Sequence, residues 1–105
     1  MDKREALNIA EKYIALVNQK YRVERAILFG SFAKGTNHAD SDIDIAIIFR
    51  TVNDIIDTQI ELMKMRRNED LFIEPHPFIL GDFKTSNPEV AEIIKTGIEI
   101  RNYAA

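Results

Sequence analysis

Two apolar runs, Val23 to Phe29 and Ile43 to Phe49, lie on either side of a polar, glycine-containing segment from Gly30 to Asp40. The second run is almost continuously apolar, as a buried strand requires, so the chain is expected to build a sheet that other layers cover. The flanking segments supply those layers. Asp2 followed by Glu5 is a capping box, and Leu7, Ala10, Ile14, Val17 and Tyr21 recur at three- and four-residue spacings, which predicts an amphipathic helix over 3–20. Asn53 or Asp54 caps a segment in which Ile55, Ile56, Ile60 and Met63 lie near one face, predicting a helix over 54–67. Leu71 to Leu80 contains Pro75 and Pro77 and fits a strand at a sheet edge. Asn87-Pro88 opens a last helix over 88–96, which Gly97 ends. The order α, β, short α, β, α, β, α predicts an α/β or α+β layer in which helices cover a small sheet.

With 105 residues, one core is expected and a second is not, so the whole of 1–105 is taken as one domain. No apolar run approaches the roughly 20 residues of a membrane span, and the charged N-terminus does not resemble a signal peptide, which leads to an expectation of a cytoplasmic protein. The absence of cysteine removes disulfides, thiolate metal sites and thiol nucleophiles together, so any chemistry must use oxygen and nitrogen groups. The net charge of −3 conceals an asymmetry: residues 1–34 hold seven Lys/Arg against four acids, and the remainder seven against thirteen. That balance argues against wrapping a nucleic acid through phosphate contacts, but it leaves room for one polyphosphate bound through a cation.

One constellation carries chemistry: Gly30-Ser31 directly after the first strand, ten residues, then Asp42-Ile43-Asp44. Gly30 allows a tight turn, and Ser31 then stands where free N–H groups at the start of a short helix form an anion seat, with Lys34 one turn later in reach of a phosphate oxygen. Asp42 and Asp44, two apart on a strand, project from one face, and carboxylates that close repel unless a cation lies between them. Hard oxygen donors favour Mg²⁺ or Mn²⁺. An anion seat beside such a pair suits a nucleoside triphosphate. Other motifs fail: Gly30 to Gly35 has P-loop spacing, but Thr36 and Asn37 replace the required Lys and Ser/Thr, and Ile45 and Thr51 stand where a calcium loop needs Gly and Glu. No G-x-G-x-x-G is present.

In Leu28 to Ile47 the sequence resembles the minimal nucleotidyltransferases of the polymerase-beta superfamily, whose signature is Gly-Ser, about ten residues, then Asp-x-Asp. The resemblance implies a mixed sheet flanked by helices, two Mg²⁺ ions, and transfer of a nucleoside monophosphate, AMP from ATP, to a hydroxyl. It assigns nucleotide binding to Gly30, Ser31 and Lys34, and the first two metal carboxylates to Asp42 and Asp44. It calls for a third carboxylate on a later strand, for which Glu74 is the candidate and Asp70 the rival. His76 shares the parity of Glu74. Phe32 stands where some members have a second basic residue.

The resemblance further implies a partner: stand-alone minimal members act as antitoxins that add AMP to a tyrosine of a HEPN-domain toxin. The alternatives are a non-catalytic nucleotide-binding or interaction module, and transfer to a small molecule. Arg66 and Arg67 are expected to be a solvated helix end, and Met63 and Met65 to be packing residues.

Overall fold

The computed structural model describes residues 1–103. Its elements are α1 (Lys3–Lys20), β1 (Arg25–Phe29), α2 (Ser31–Lys34), β2 (Ile43–Phe49), α3 (Ile55–Lys64), β3 (Ile73–Ile79), α4 (Pro88–Thr96) and β4 (Ile98–Glu99). The strands form one mixed sheet in the order β3-β2-β1-β4. β1 runs antiparallel to β2 and β4, and β2 runs parallel to β3. β4 was not expected; a two-residue strand has no periodicity to reveal it.

Helices cover both faces, which explains the unbroken apolar run of β2. On one face, α1 sets Ala10, Tyr13, Ile14 and Val17 against Leu28, Ile43, Ile45 and Ile47. On the other, α4 places Val90 and Ile93 with Ile27, Ala46 and Ile48. The caps form where the sequence places them, at Asp2 through one of the two bonds of a capping box. Asp2 accepts the Glu5 N–H at 2.9 Å, Asp54 accepts from Ile56 and Asp57, and Asn87 accepts from Glu89 at 2.9 Å ahead of Pro88.

α3 departs from expectation. It ends at Lys64, and the residues it buries are Thr58 and Leu62. Ile56, Ile60 and Met63, at i, i+4 and i+7, form a stripe that faces solvent, as does Ile55. Apolar periodicity located the helix, but the side turned inward was decided by its packing on β3. Met65 does pack against the core, whereas Met63 does not.

β3 is an edge strand, as its prolines require. The Ile43 N–H donates to the Phe72 carbonyl at 2.7 Å, so even-numbered residues of β3 turn their backbone groups to β2 and odd-numbered ones turn outward. Pro75 and Pro77 therefore occupy outward positions, where a missing N–H leaves nothing unpaired. The outward carbonyls of Ile73 and Pro75 accept from Arg66 Nη1 at 3.1 Å and Gln59 Nε2 at 3.0 Å. Arg66 also reaches the Leu71 carbonyl at 3.3 Å. It is thus a clamp on the α3–β3 connection rather than a solvated helix end.

Candidate active site

The site forms where β1 ends and β2 and β3 begin. Gly30 follows Phe29, which pairs with Asp44 in the antiparallel ladder. At Gly30 the chain turns with φ +76°, a region that L side chains rarely adopt. A Cβ at this position would also collide with Asp44 Oδ2. The backbone angle favours glycine here, and any side chain would also push the Asp44 carboxylate aside.

Ser31 begins α2, and the Lys34 N–H closes onto the Gly30 carbonyl at 3.1 Å. A second positive φ at Gly35 ends the short helix. Phe32 is buried, so its ring belongs to the core under the turn; a basic side chain there would lie in that core. Lys34 is exposed, and its Nζ lies 3.1 Å from Glu92 Oε1 of α4.

Asp44 and Glu74 are partners in the parallel register of β2 and β3. Their side chains leave the same face of adjacent strands, and the two-residue period places His76 there as well. His76 Nε2 lies 3.1 Å from Asp44 Oδ1 and 3.9 Å from Glu74 Oε1. One donor atom from each of the three residues falls within 4.8 Å of the others, a spacing that suits a divalent ion. The imidazole packs edge-on against Phe29, with ring centroids 5.0 Å apart. Burial opposes its charged form, but the hydrogen bond to Asp44 and the charges of Asp44, Glu74 and Glu89 outweigh that and raise its pKa above the ordinary histidine value.

The other candidates are placed as follows. Asp42 is exposed and immediately precedes β2, so it lies in the approach to the strand and outside the three-residue cluster. The loop leading to it is held by Ser41 Oγ, which accepts the His38 N–H at 2.8 Å. Asp70 is excluded as a partner of Asp44. It lies in a one-turn 3-10 helix (Asn68–Asp70), is fully buried, and accepts from the Arg67 N–H at 3.0 Å and Arg67 Nε at 2.9 Å. Arg67 therefore caps that turn and neutralises a buried acid, a role its exposed-looking sequence context concealed.

His76 joins the cluster of Asp44 and Glu74, although the sequence offered for it only the parity of Glu74. The signal was present in Glu74-Pro75-His76, since alternate residues of a strand share a face. A surface cavity of about 510 Å³ lies elsewhere, at the far end of β2 among Tyr21, Phe49, Asp54 and Thr58, and the acidic cluster does not line it. Of the three side chains Glu74 is exposed, while Asp44 and His76 are half-buried.

A family model described as polymerase beta, nucleotidyltransferase matches residues 11–103. Among solved structures, a Sulfolobus solfataricus protein described as a candidate nucleotidyltransferase is similar at a TM-score of 0.68 and 20% identity, over 92% of this chain and 80% of its own. A toxin–antitoxin structure with AMP-PNP is similar at a TM-score of 0.58 and 22% identity, over 88% of this chain and 73% of its own. At such identities the structural likenesses speak for the fold. No match was found among curated protein sequences. The family match runs from the middle of α1 through every strand of the sheet, and on that ground the chain belongs to the polymerase beta nucleotidyltransferase family.

Proposed function

We propose that residues 1–105 act as a single cytoplasmic domain that transfers a nucleoside monophosphate, AMP from ATP, to a hydroxyl on a partner protein, a HEPN-type toxin that it silences. The observation that carries the reading is the Asp44–Glu74 pairing beneath the Gly30 turn. Gly30 and Ser31 hold the triphosphate by backbone N–H groups, and Lys34 adds a cation. Asp42, Asp44 and Glu74 would hold two Mg²⁺ ions, or Mn²⁺ in their place, and these would neutralise phosphate charge and make the acceptor hydroxyl more acidic.

Glu74 receives the proton of that hydroxyl. The acceptor's hydroxyl oxygen forms a bond to the α-phosphorus as the bond from that phosphorus to the α–β bridging oxygen breaks, and pyrophosphate leaves. Because such a displacement needs mainly positioning and charge neutralisation, a small sheet with a few fixed side chains is sufficient.

The toxin–antitoxin neighbour with AMP-PNP supports a protein partner and an adenine donor. The exposed stripe of Ile56, Ile60 and Met63 on α3, an apolar surface of the kind that partners cover, also supports the protein partner. The test is incubation of the chain and a HEPN-domain partner with ATP labelled at the α-phosphate and Mg²⁺. Label is expected on the partner with the native chain and not with Asp44→Ala; complex formation without label on either protein would leave only a binding module.

A further inference from the structure

We propose that His76 is a direct metal donor, making with Asp44 and Glu74 a mixed imidazole–carboxylate site that prefers a transition-metal dication such as Zn²⁺ or Co²⁺ to Mg²⁺. The proposal deepens the functional reading above and rests on it to the extent that a dication is held at this cluster.

The argument starts from register. Parallel pairing sets Glu74 opposite Asp44, and the strand period places His76 on the same face, diagonal to Asp44. The imidazole is held in place from several sides. Pro75 and Pro77 fix the backbone φ on either side of it, and Phe29 packs against its ring. A side chain so fixed pays little ordering entropy when it binds an ion.

The spacing also fits. With metal–ligand bonds of about 2.1 Å, two donor atoms of one ion lie about 3.0 Å apart at right angles and about 4.2 Å apart when opposed. His76 Nε2 stands 3.1 Å from Asp44 Oδ1 and 3.9 Å from Glu74 Oε1, both inside that range. The same Nε2 faces both carboxylates, so one ion between them would meet it along with an oxygen from each.

Donor chemistry then sets the preference. Mg²⁺ is bound by oxygen ligands and sheds its water reluctantly, whereas imidazole suits zinc and the later first-row ions. Replacing one oxygen donor of an all-carboxylate site by a nitrogen moves selectivity toward those ions. A purely positioning role, in which His76 only orients Asp44, would leave selectivity unchanged, because the donor set would remain oxygen alone.

The test is metal binding by the full chain, without turnover. Co²⁺ is titrated while its visible absorption is followed, and Zn²⁺ and Mg²⁺ are compared by calorimetry and competition. The native chain is expected to bind Co²⁺ at least about 100-fold more tightly than Mg²⁺ and to show the intensified bands of a low-coordinate, nitrogen-containing site. His76→Gln, which keeps the size and a hydrogen bond to Asp44, should weaken Co²⁺ and Zn²⁺ by about 10- to 100-fold and leave Mg²⁺ within about twofold. Circular dichroism confirms that the variant is folded. Equal Co²⁺ affinity and identical spectra for the native chain and His76→Gln would overturn the proposal and leave the nucleotidyltransferase reading standing. If the native chain bound no dication, with or without an ATP analogue, both would fall.

Discussion

Asp44 Oδ2 occupies the space in which a side chain at residue 30 would begin, so the Gly30 turn and the carboxylate it faces are packed as one unit. Gly30→Ala must strain a positive φ and displace Asp44, a cost of about 1–3 kcal/mol in stability. The melting temperature should fall accordingly, and nucleotidyl transfer should drop by about 100-fold because the carboxylate shifts by a sizeable part of an ångström. Thermal denaturation and labelled transfer measured on the same preparation check both; an unchanged melting point would contradict the packing.

Asp44→Asn and Glu74→Gln keep shape and remove charge. Each is expected to lower transfer by about 10³-fold, the range seen when a group that stabilises charge in a transition state is lost. On the proposed function, which assigns Asp42 to the metal site, Asp42→Ala should do the same. None of the three is buried in a core cluster, so unfolding free energies should change by less than about 1 kcal/mol. A variant that retained transfer within tenfold would remove its residue from the site.

Lys34 is paired with Glu92, a carboxylate with which a phosphate would compete for the ammonium. Both side chains are exposed, so their ion pair is worth no more than about 1 kcal/mol. Glu92→Gln should therefore lower the KM for the nucleotide by up to about fivefold, and Lys34→Ala should raise it, with kcat little altered in either. Steady-state kinetics at fixed acceptor concentration decides. A rise in KM with Glu92→Gln would mean that the pair itself shapes the site.

Tyr13 is fully buried in α1, and its hydroxyl donates to the Leu62 carbonyl of α3. Burial raises the phenol pKa well above 10, Arg66 lowers it in part, and Asp70 adds to the rise. The folded state thus holds the proton more tightly than the unfolded chain. Stability should be independent of this group below about pH 10 and should fall as the pH rises beyond that, because the unfolded tyrosine ionises first. Tyr13→Phe should cost about 1–2 kcal/mol at neutral pH by leaving the Leu62 carbonyl unpaired, and should flatten the alkaline decline. Urea denaturation at pH 7 and between pH 9 and 11 measures both effects.

The comparison of α3 with α4 shows how far local pattern reaches. In both helices the cap is written in the chain: Asp54 and Asn87 each take the N–H groups that their helix leaves free. In α4 the apolar face is also the buried one, through Val90 and Ile93. In α3 it is not, because Thr58 and Leu62 turn inward while Ile56, Ile60 and Met63 remain in solvent. Periodicity reports that a helix has an apolar side; it does not report whether the domain itself or another molecule covers that side. Asp70 and Glu74 illustrate the same limit in the strand. Both are acids near the start of one apolar run, yet the turn at Asn68–Asp70 sends the first into the interior with Arg67 and leaves the second facing Asp44.

From the sequence by itself came the helix of residues 3–20, the last helix at 88–96, the two central strands, the edge position of a proline-bearing strand, and the Gly30-Ser31 and Asp42-Asp44 signature, because each depends on side chains within a few residues of one another. The tertiary structure alone decided that β3 runs parallel to β2 in the register that sets Glu74 against Asp44 and carries His76 beside them. Parallel strands meet only after a long crossover, and a shift of one residue would turn every side chain of β3 to the opposite face, so this alignment is determined by the packing of the whole sheet and its helices.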